Sequence, residues 1–463
     1  MNAVAAAEFA AVDPSTREAF ASIHESSAEE VDAAVEAARR AQRAPGWRVP
    51  ANRATALRAV ARVIEARADE LATLECRDTG KPLSQARADV DVTVKYFDFY
   101  AGAADKLLGT SIPLGPGFVD FTTREPWGVC GQIIPWNYPM QVLARCAAPA
   151  LAAGNAVVLK PSELGSVTPV MIERLARDAG LPEGVFKVVT GHGPVGERLV
   201  AHEQVDFVTF VGSAAVGRVV ATAAAARLAP VQLELGGKSP NVVFASADLE
   251  RAVPAIVKSL IQNAGQSCSA GSRLLVDERV HDELVARLAA AMRALTIGAG
   301  IDDPDLGPLI SARQFERAEG MLQRALAAGV QVELGGGRPD GLDEGWYLQP
   351  TILTGVGRGL EIFEEEVFGP VLSVSTFQSD EQATELANAT PYGLVAAVWS
   401  KDISQAHRVA GEIQAGQVYI NGYGVAGGIE LPFGGMKRSG YGRGKGIEAM
   451  YSYTQVKNVC VVL

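Results

Sequence analysis

The sequence predicts an α/β protein of two successive sheet-and-helix domains with a small β arm, on three observations. From Pro126 onward short, fully apolar runs alternate with amphipathic stretches of 10–15 residues, the pattern of parallel strands joined by helices. The alternation resumes beyond residue 237, and 463 residues exceed what one compact core holds. The stretch 109–123 is Gly/Pro-rich and β-branched, and the chain ends on an apolar strand; both fall outside that rhythm.

The elements follow in order. After Pro14, SAEEVDAAVEAARRAQR (27–43) opens with a Ser-x-x-Glu capping signal, and Val31, Ala34, Val35 and Ala38 recur at helical spacing. A second helix, ANRATALRAVARVIEARADELATLEC, follows Pro50, and a third runs through DVDVTVKYFDFYAGAADKLL. Residues 109–123 read as a hairpin or arm. The strands VCGQIIPW, NAVVLKP, FKVVTG, DFVTFVGS and PVQLEL then alternate with helices near 140–153 and 168–179 and after Gly193 and Ser213. The second set is NVVFAS, a helix running to about Cys268, RLLVDERV, a helix to Met292, QVELGG, YLQPTILTGV, VLSVSTFQ, VAAVWS and QVYING. The tail EAMYSYTQVKNVCVVL ends in a strand with no partner close in sequence.

Composition narrows the partners. A net charge of −11 argues against nucleic acid and anionic membranes, which need clustered Lys and Arg. No apolar run reaches the roughly 18–20 residues of a membrane span, and the first residues carry Glu8 and Asp13 where a signal peptide has a basic region. Five scattered cysteines without CxxC spacing fit a reducing compartment, the cytoplasm by default. Five histidines in no HExxH or HxH cluster supply no metal ligands.

Several residues suit chemistry. Cys268, in NAGQSCSAGSR, has small neighbours that leave room for a carbonyl carbon; a packed core thiol fits the same facts. Glu234 ends a strand in VQLELGGKSPN, where burial would raise its pKa toward that of a general base, or where it could stay an exposed carboxylate. Asn137, between Pro135 and Pro139 in IIPWNYPM, can donate to an oxyanion or cap the following helix. In VLKPSE, Lys160 and Glu163 suit ribose hydroxyls or a phosphate, and Gly212 and Ser213 open a helix fit for a pyrophosphate. That last spacing is GxxxxG, not the dinucleotide fingerprint GxGxxG.

In the order IIPWNYP, LKPSE, FVGSAAVGR, LELGGKSPN, NAGQSCSAGSR, EEVFGPV and LPFGGMKRSGYGR, the sequence resembles the aldehyde dehydrogenase superfamily across most of its length. The resemblance implies a Rossmann-type NAD-binding domain (1–108 and 126–236), a catalytic α/β domain (237–440) and a β oligomerisation arm (109–125 and 441–463) that makes a homodimer or homotetramer. It implies a reaction: Cys268 attacks the aldehyde carbon, Asn137 and the Cys268 N–H hold the oxyanion, hydride passes to NAD, and Glu234 activates the water that hydrolyses the thioester. In the CoA-acylating branch that glutamate is generally replaced, so Glu234 favours water. The cofactor set it implies has Lys160 and Glu163 at the adenosine ribose, Ser213 at the pyrophosphate, Ile133 and Trp136 along the cleft, and Glu366 with Phe368 at the nicotinamide ribose; Gly212, Val216 and Leu235 complete the expected cofactor-binding residues.

Substrate clues are fewer. Tyr138, Val142 and Arg145 recur at near-helical spacing, one face of which would line a tunnel completed by Phe433. By resemblance, enzymes for apolar aldehydes carry an aromatic residue at the Arg145 position, and succinate-semialdehyde enzymes carry Arg. Those add a second Arg six residues before the nucleophile, where this chain has Gln262. An Arg145 turned into a helix–helix salt bridge fits the sequence equally. Ala426 stands where bulkier aromatics are frequent, implying a roomy tunnel mouth. The expected substrate is an aldehyde bearing a polar, aromatic or carboxylate group.

Overall fold

The computed structural model describes residues 7–424 and 428–463. Its core is two α/β sheets. In the first, strands lie in the order Gly440–Tyr441, Val231–Glu234, Phe207–Val211, Val129–Ile134, Ala156–Pro161, Phe186–Val188. All pair parallel except the short edge strand Gly440–Tyr441. From Val129–Ile134 the chain builds outward on one side, then crosses to build the other. That reversal of order opens a crevice at the carboxyl ends of the strands, where open α/β sheets bind ligands.

The second sheet runs Gln331–Leu334, Thr351–Thr354, Val371–Phe377, Arg273–Asp277, Pro240–Val243, Val395–Trp399, Gln417–Ile420. It is parallel but for Gln331–Leu334. Its central strands are buried throughout, which is why apolar residues dominate them. The terminal strand Thr454–Val462 finds its partner in Phe118–Pro126, more than 300 residues earlier, as a two-stranded antiparallel ribbon. Only part of the 441–463 segment joins that ribbon: Tyr441 belongs to the first sheet, and the helix Gly446–Ser452 packs on the helix Pro139–Ala152.

The predicted capping box is present: the Ser27 hydroxyl accepts from the Glu30 N–H, and the Glu30 carboxylate accepts from the Ser27 N–H. Two expectations need correction. The single helix expected over 51–76 is two, Pro50–Glu65 and Ala68–Thr79, separated by a turn at Ala66–Arg67. The helix expected to reach Cys268 is Leu249–Ile261, after which Asn263 and Ala264 take left-handed conformations (φ 49° and 54°). A hairpin pairing Glu8–Val12 with Ala19–His24, and a helix at Ala312–Ala327, were not foreseen. The helix had a legible signal: Ser311 caps it, and Phe315, Ala318, Met321, Leu322 and Ala325 form its buried stripe.

Candidate active site

The break after Ile261 shapes the nucleophile's loop. A left-handed backbone costs roughly 1–2 kcal/mol for a residue with a side chain, so it persists only where the surroundings impose it. Here Gly265 packs so closely on Gly369 that a Cβ would lie 2.3 Å from its carbonyl carbon. The Asn263 N–H donates to Gln85 Oε1 (2.9 Å), and its side-chain amide donates to the Asn137 carbonyl (2.7 Å). Gln266 donates to the Asn263 carbonyl (3.1 Å) and accepts from the Ile310 N–H (2.9 Å). Two residues on, Cys268 keeps partial access to solvent, while enclosure pushes its thiol pKa up to about 11. It packs against the cluster of Leu394, Val395 and Phe433.

Asn137 reaches the same loop: its amide donates to the Gln266 carbonyl (2.8 Å), which leaves its second N–H for another acceptor. The Asn137 carbonyl also accepts from the buried ammonium of Lys81 (3.0 Å). Lys81 was not singled out from sequence, because nothing in TGKPLSQ marks it as buried.

Glu234 ends its strand beneath Gly440, and the edge strand brings 443–445 alongside it. Glu234 is buried, neither carboxylate oxygen has a partner among the described residues, and burial pushes its pKa up to about 8. A Cβ on Gly444 would lie 3.7 Å from Glu234 Oε1 and 3.7 Å from Arg145 Nε. Arg145 is therefore a neighbour of Glu234. It enters no salt bridge among the described residues, its Nε is unpartnered, and its guanidinium lies over the Phe433 ring (5.1 Å). Lys445, also missed from sequence, sits over the same ring (5.3 Å), and burial pushes its pKa down to about 8. Val142 is buried on the same helix and Tyr138 is buried just before it, with the Lys81 ammonium over the Tyr138 ring (4.4 Å). Ala426 lies outside the described residues.

The expected dinucleotide residues line the first sheet's crevice. Lys160 ends one strand, its ammonium 3.8 Å from Glu163, which stays half-exposed. Ile133 sits one strand over, meeting Lys160 across Gly196. Across the crevice Gly212 leads into Ser213, whose hydroxyl caps the helix Ala214–Ala225 through the Val216 N–H (3.4 Å). Leu235 packs so close to Gly217 that a Cβ there would meet it at 2.7 Å. On the far wall Glu366 accepts from the Gly237 N–H (3.2 Å), and burial lifts its pKa to about 7. Phe368, at φ 59°, meets Trp136 edge-to-face at 5.3 Å. Helix Ala312–Ala327 braces this wall: Gln314 donates to the Val367 and Phe368 carbonyls, and Arg317 to that of Glu366. Two carboxylates for hydroxyl pairs, an ammonium and an open helix N-terminus are a donor set that fits a dinucleotide.

The chain matches known proteins over nearly its whole length. It is 41% identical over 458 residues (97% of this chain, 93% of the other) to a betaine aldehyde dehydrogenase of Bacillus subtilis (strain 168). It is 40% identical over 469 residues (98% and 96%) to a 2-hydroxymuconic semialdehyde dehydrogenase of Pseudomonas sp. (strain CF600). Its fold superposes with a TM-score of 0.96 on the NAD+ complex of an aldehyde dehydrogenase from Bacillus cereus, 38% identical, over 99% of this chain and 94% of that one. The family model described as "Aldehyde dehydrogenase family" matches residues 2–459, and the chain belongs to that family.

Proposed function

We propose that this chain uses NAD to oxidise an anionic aldehyde to its carboxylic acid through a thioester on Cys268, hydrolysed by water that Glu234 activates. The observation that carries the reading is the convergence of Cys268, Asn137 and an unpartnered, buried Glu234 at the edge of a crevice suited to a dinucleotide. The Cys268 thiol gives its proton to solvent water, and the sulfur, as a thiolate, bonds to the aldehyde carbon. The oxyanion then accepts from the free Asn137 N–H and the Cys268 backbone N–H. As the carbonyl re-forms, the C–H bond breaks and leaves a thioester; NAD, when bound, supplies the hydride acceptor. Glu234, raised toward neutrality by burial, takes a proton from water as the water oxygen attacks. The C–S bond breaks and the acid leaves.

The residues 1–108 and 126–236, with the edge strand Gly440–Tyr441 and the helix Gly446–Ser452, then form the cofactor part, 237–439 the catalytic part, and 109–125 with the strand Thr454–Val462 an arm. The ribbon exposes Phe118, Val119, Phe121, Val456, Val461 and Val462, a surface suited to association with a second copy. Light scattering tests it, and a monodisperse monomer would refute it.

Arg145 and Lys445 supply the substrate reading. Two cations face one aromatic ring beside Cys268, and neither is neutralised by a salt bridge among the described residues. A carboxylate such as that of a muconic semialdehyde would complete them. A quaternary-ammonium aldehyde, the class named for the Bacillus subtilis relative, would be repelled. Comparing kcat/KM for carboxylated, neutral and trimethylammonium aldehydes tests this: the carboxylated ones should lead, and a preference for betaine aldehyde would overturn the reading.

A further inference from the structure

Behind Asn137 lies a group of charges that no step above uses. Lys81 follows the left-handed Gly80 (φ 75°) that ends the helix Ala68–Thr79. Its loop is packed closely on its neighbours: a Cβ on Gly300 would lie 2.4 Å from the Lys81 carbonyl oxygen, and one on Gly80 2.7 Å from Pro308. The side chain is fully buried. Its ammonium has three N–H groups and three acceptors: Asp89 Oδ2 at 2.5 Å, Glu75 Oε1 at 3.5 Å and the Asn137 carbonyl at 3.0 Å. The carboxylates are held in turn, Glu75 by the Thr168 hydroxyl (2.5 Å) and Asp89 by the Gln141 amide (3.3 Å).

The Asn137 carbonyl sits in a turn between a strand and a proline-started helix, and its two donors both come from distant segments. Asn263 ties it to the nucleophile loop, and Lys81 ties it to the helical layer. We propose that Lys81 is a positioning residue for the oxyanion donor: its ammonium, fixed by Asp89 and Glu75, holds the Asn137 carbonyl so that the side-chain amide faces the carbon bound to Cys268. The proposal rests on the reading of Asn137 as an oxyanion donor. A charge-assisted bond is the stronger of the two clamps, and a donor misplaced by about 1 Å can cost 10²-fold in rate.

The test compares Lys81→Met, Lys81→Arg, Lys81→Met with Asp89→Asn, and Asn137→Ala in the full-length protein. The double variant removes the ammonium while stranding one fewer carboxylate, should the single variant fold poorly. Folding is checked by circular dichroism, and NAD affinity by titration. The expected result is a kcat lowered about 10- to 100-fold in the folded Lys81→Met or double variant. KM for the aldehyde and Kd for NAD should stay within about threefold, and Lys81→Arg should recover part of kcat. A purely structural lysine would lower stability and leave kcat per folded molecule alone. If Asn137→Ala loses activity while the folded lysine variants keep theirs, Lys81 does not position the donor. If Asn137→Ala itself keeps kcat, the oxyanion reading fails and this proposal with it.

Discussion

Two buried groups of charge meet the same strand–turn–helix unit around Asn137, and the protein treats them oppositely. Around Lys81 every charged atom is answered: ammonium, both carboxylates and the hydroxyl of Thr168 are hydrogen-bonded to one another. Around Glu234 they are left open, with both carboxylate oxygens and Arg145 Nε unpartnered. An unpaired buried polar group costs on the order of 1–3 kcal/mol, and a charged one more. Such a cost persists where a water or substrate completes the set. The difference separates a scaffold, closed on itself, from a site held ready for chemistry.

The sharpest break in that comparison is at the open group. Cys268→Ala should lower kcat by on the order of 10⁴ or more while NAD still binds, and substantial residual turnover would sink the thioester route. Glu234→Gln should release one equivalent of NADH in a stopped-flow trace and then slow about 10²- to 10⁴-fold, without loss of stability. Steady turnover near the wild-type rate would show that another base serves.

Next comes the closed group's contribution to stability. Removing the Lys81 ammonium alone strands two buried carboxylates, so Lys81→Met should cost about 3–5 kcal/mol, read as a lowered denaturation midpoint. Arg145→Leu should cost far less. The opposite ranking would erase the distinction between the two groups. Arg145→Leu should instead cut kcat/KM for carboxylated aldehydes by about 10- to 150-fold, the worth of one charge-assisted bond, and barely affect plain alkanals. An equal loss on both would make it a structural residue.

The pH response is smaller. Glu234 has its pKa raised to about 8 by burial, so it is mostly protonated at pH 7 and a base only above about 8. Turnover limited by hydrolysis should therefore rise with pH, about tenfold per unit below 8, and then level. The inflection should vanish in the burst-limited Glu234→Gln enzyme. Smallest is cofactor choice: Glu163 should repel a 2′-phosphate, giving NAD an advantage of about 10-fold over NADP. Glu163→Gln should narrow that ratio, and equal kcat/KM for both cofactors in the native enzyme would remove Glu163 from the role.

The sequence alone determined the α/β class and most strands of its two large sheets, because a strand buried on both faces is mainly apolar, as Val157, Val158 and Leu159 are. It also singled out Cys268, Glu234 and Asn137, whose setting of prolines, glycines and small residues is local. Tertiary structure decided what lay beyond reach of local pattern. The helix before Cys268 stops at Ile261 because Asn263 is pulled to the Asn137 carbonyl and Gly265 is pressed against Gly369. Lys445 reaches the site because Gly440 pairs with Glu234 some 200 residues away. Lys81 looks like any surface lysine until three acceptors close around it. A charge is costly or useful according to what surrounds it in space, and those neighbours come from segments that the order of residues does not bring together.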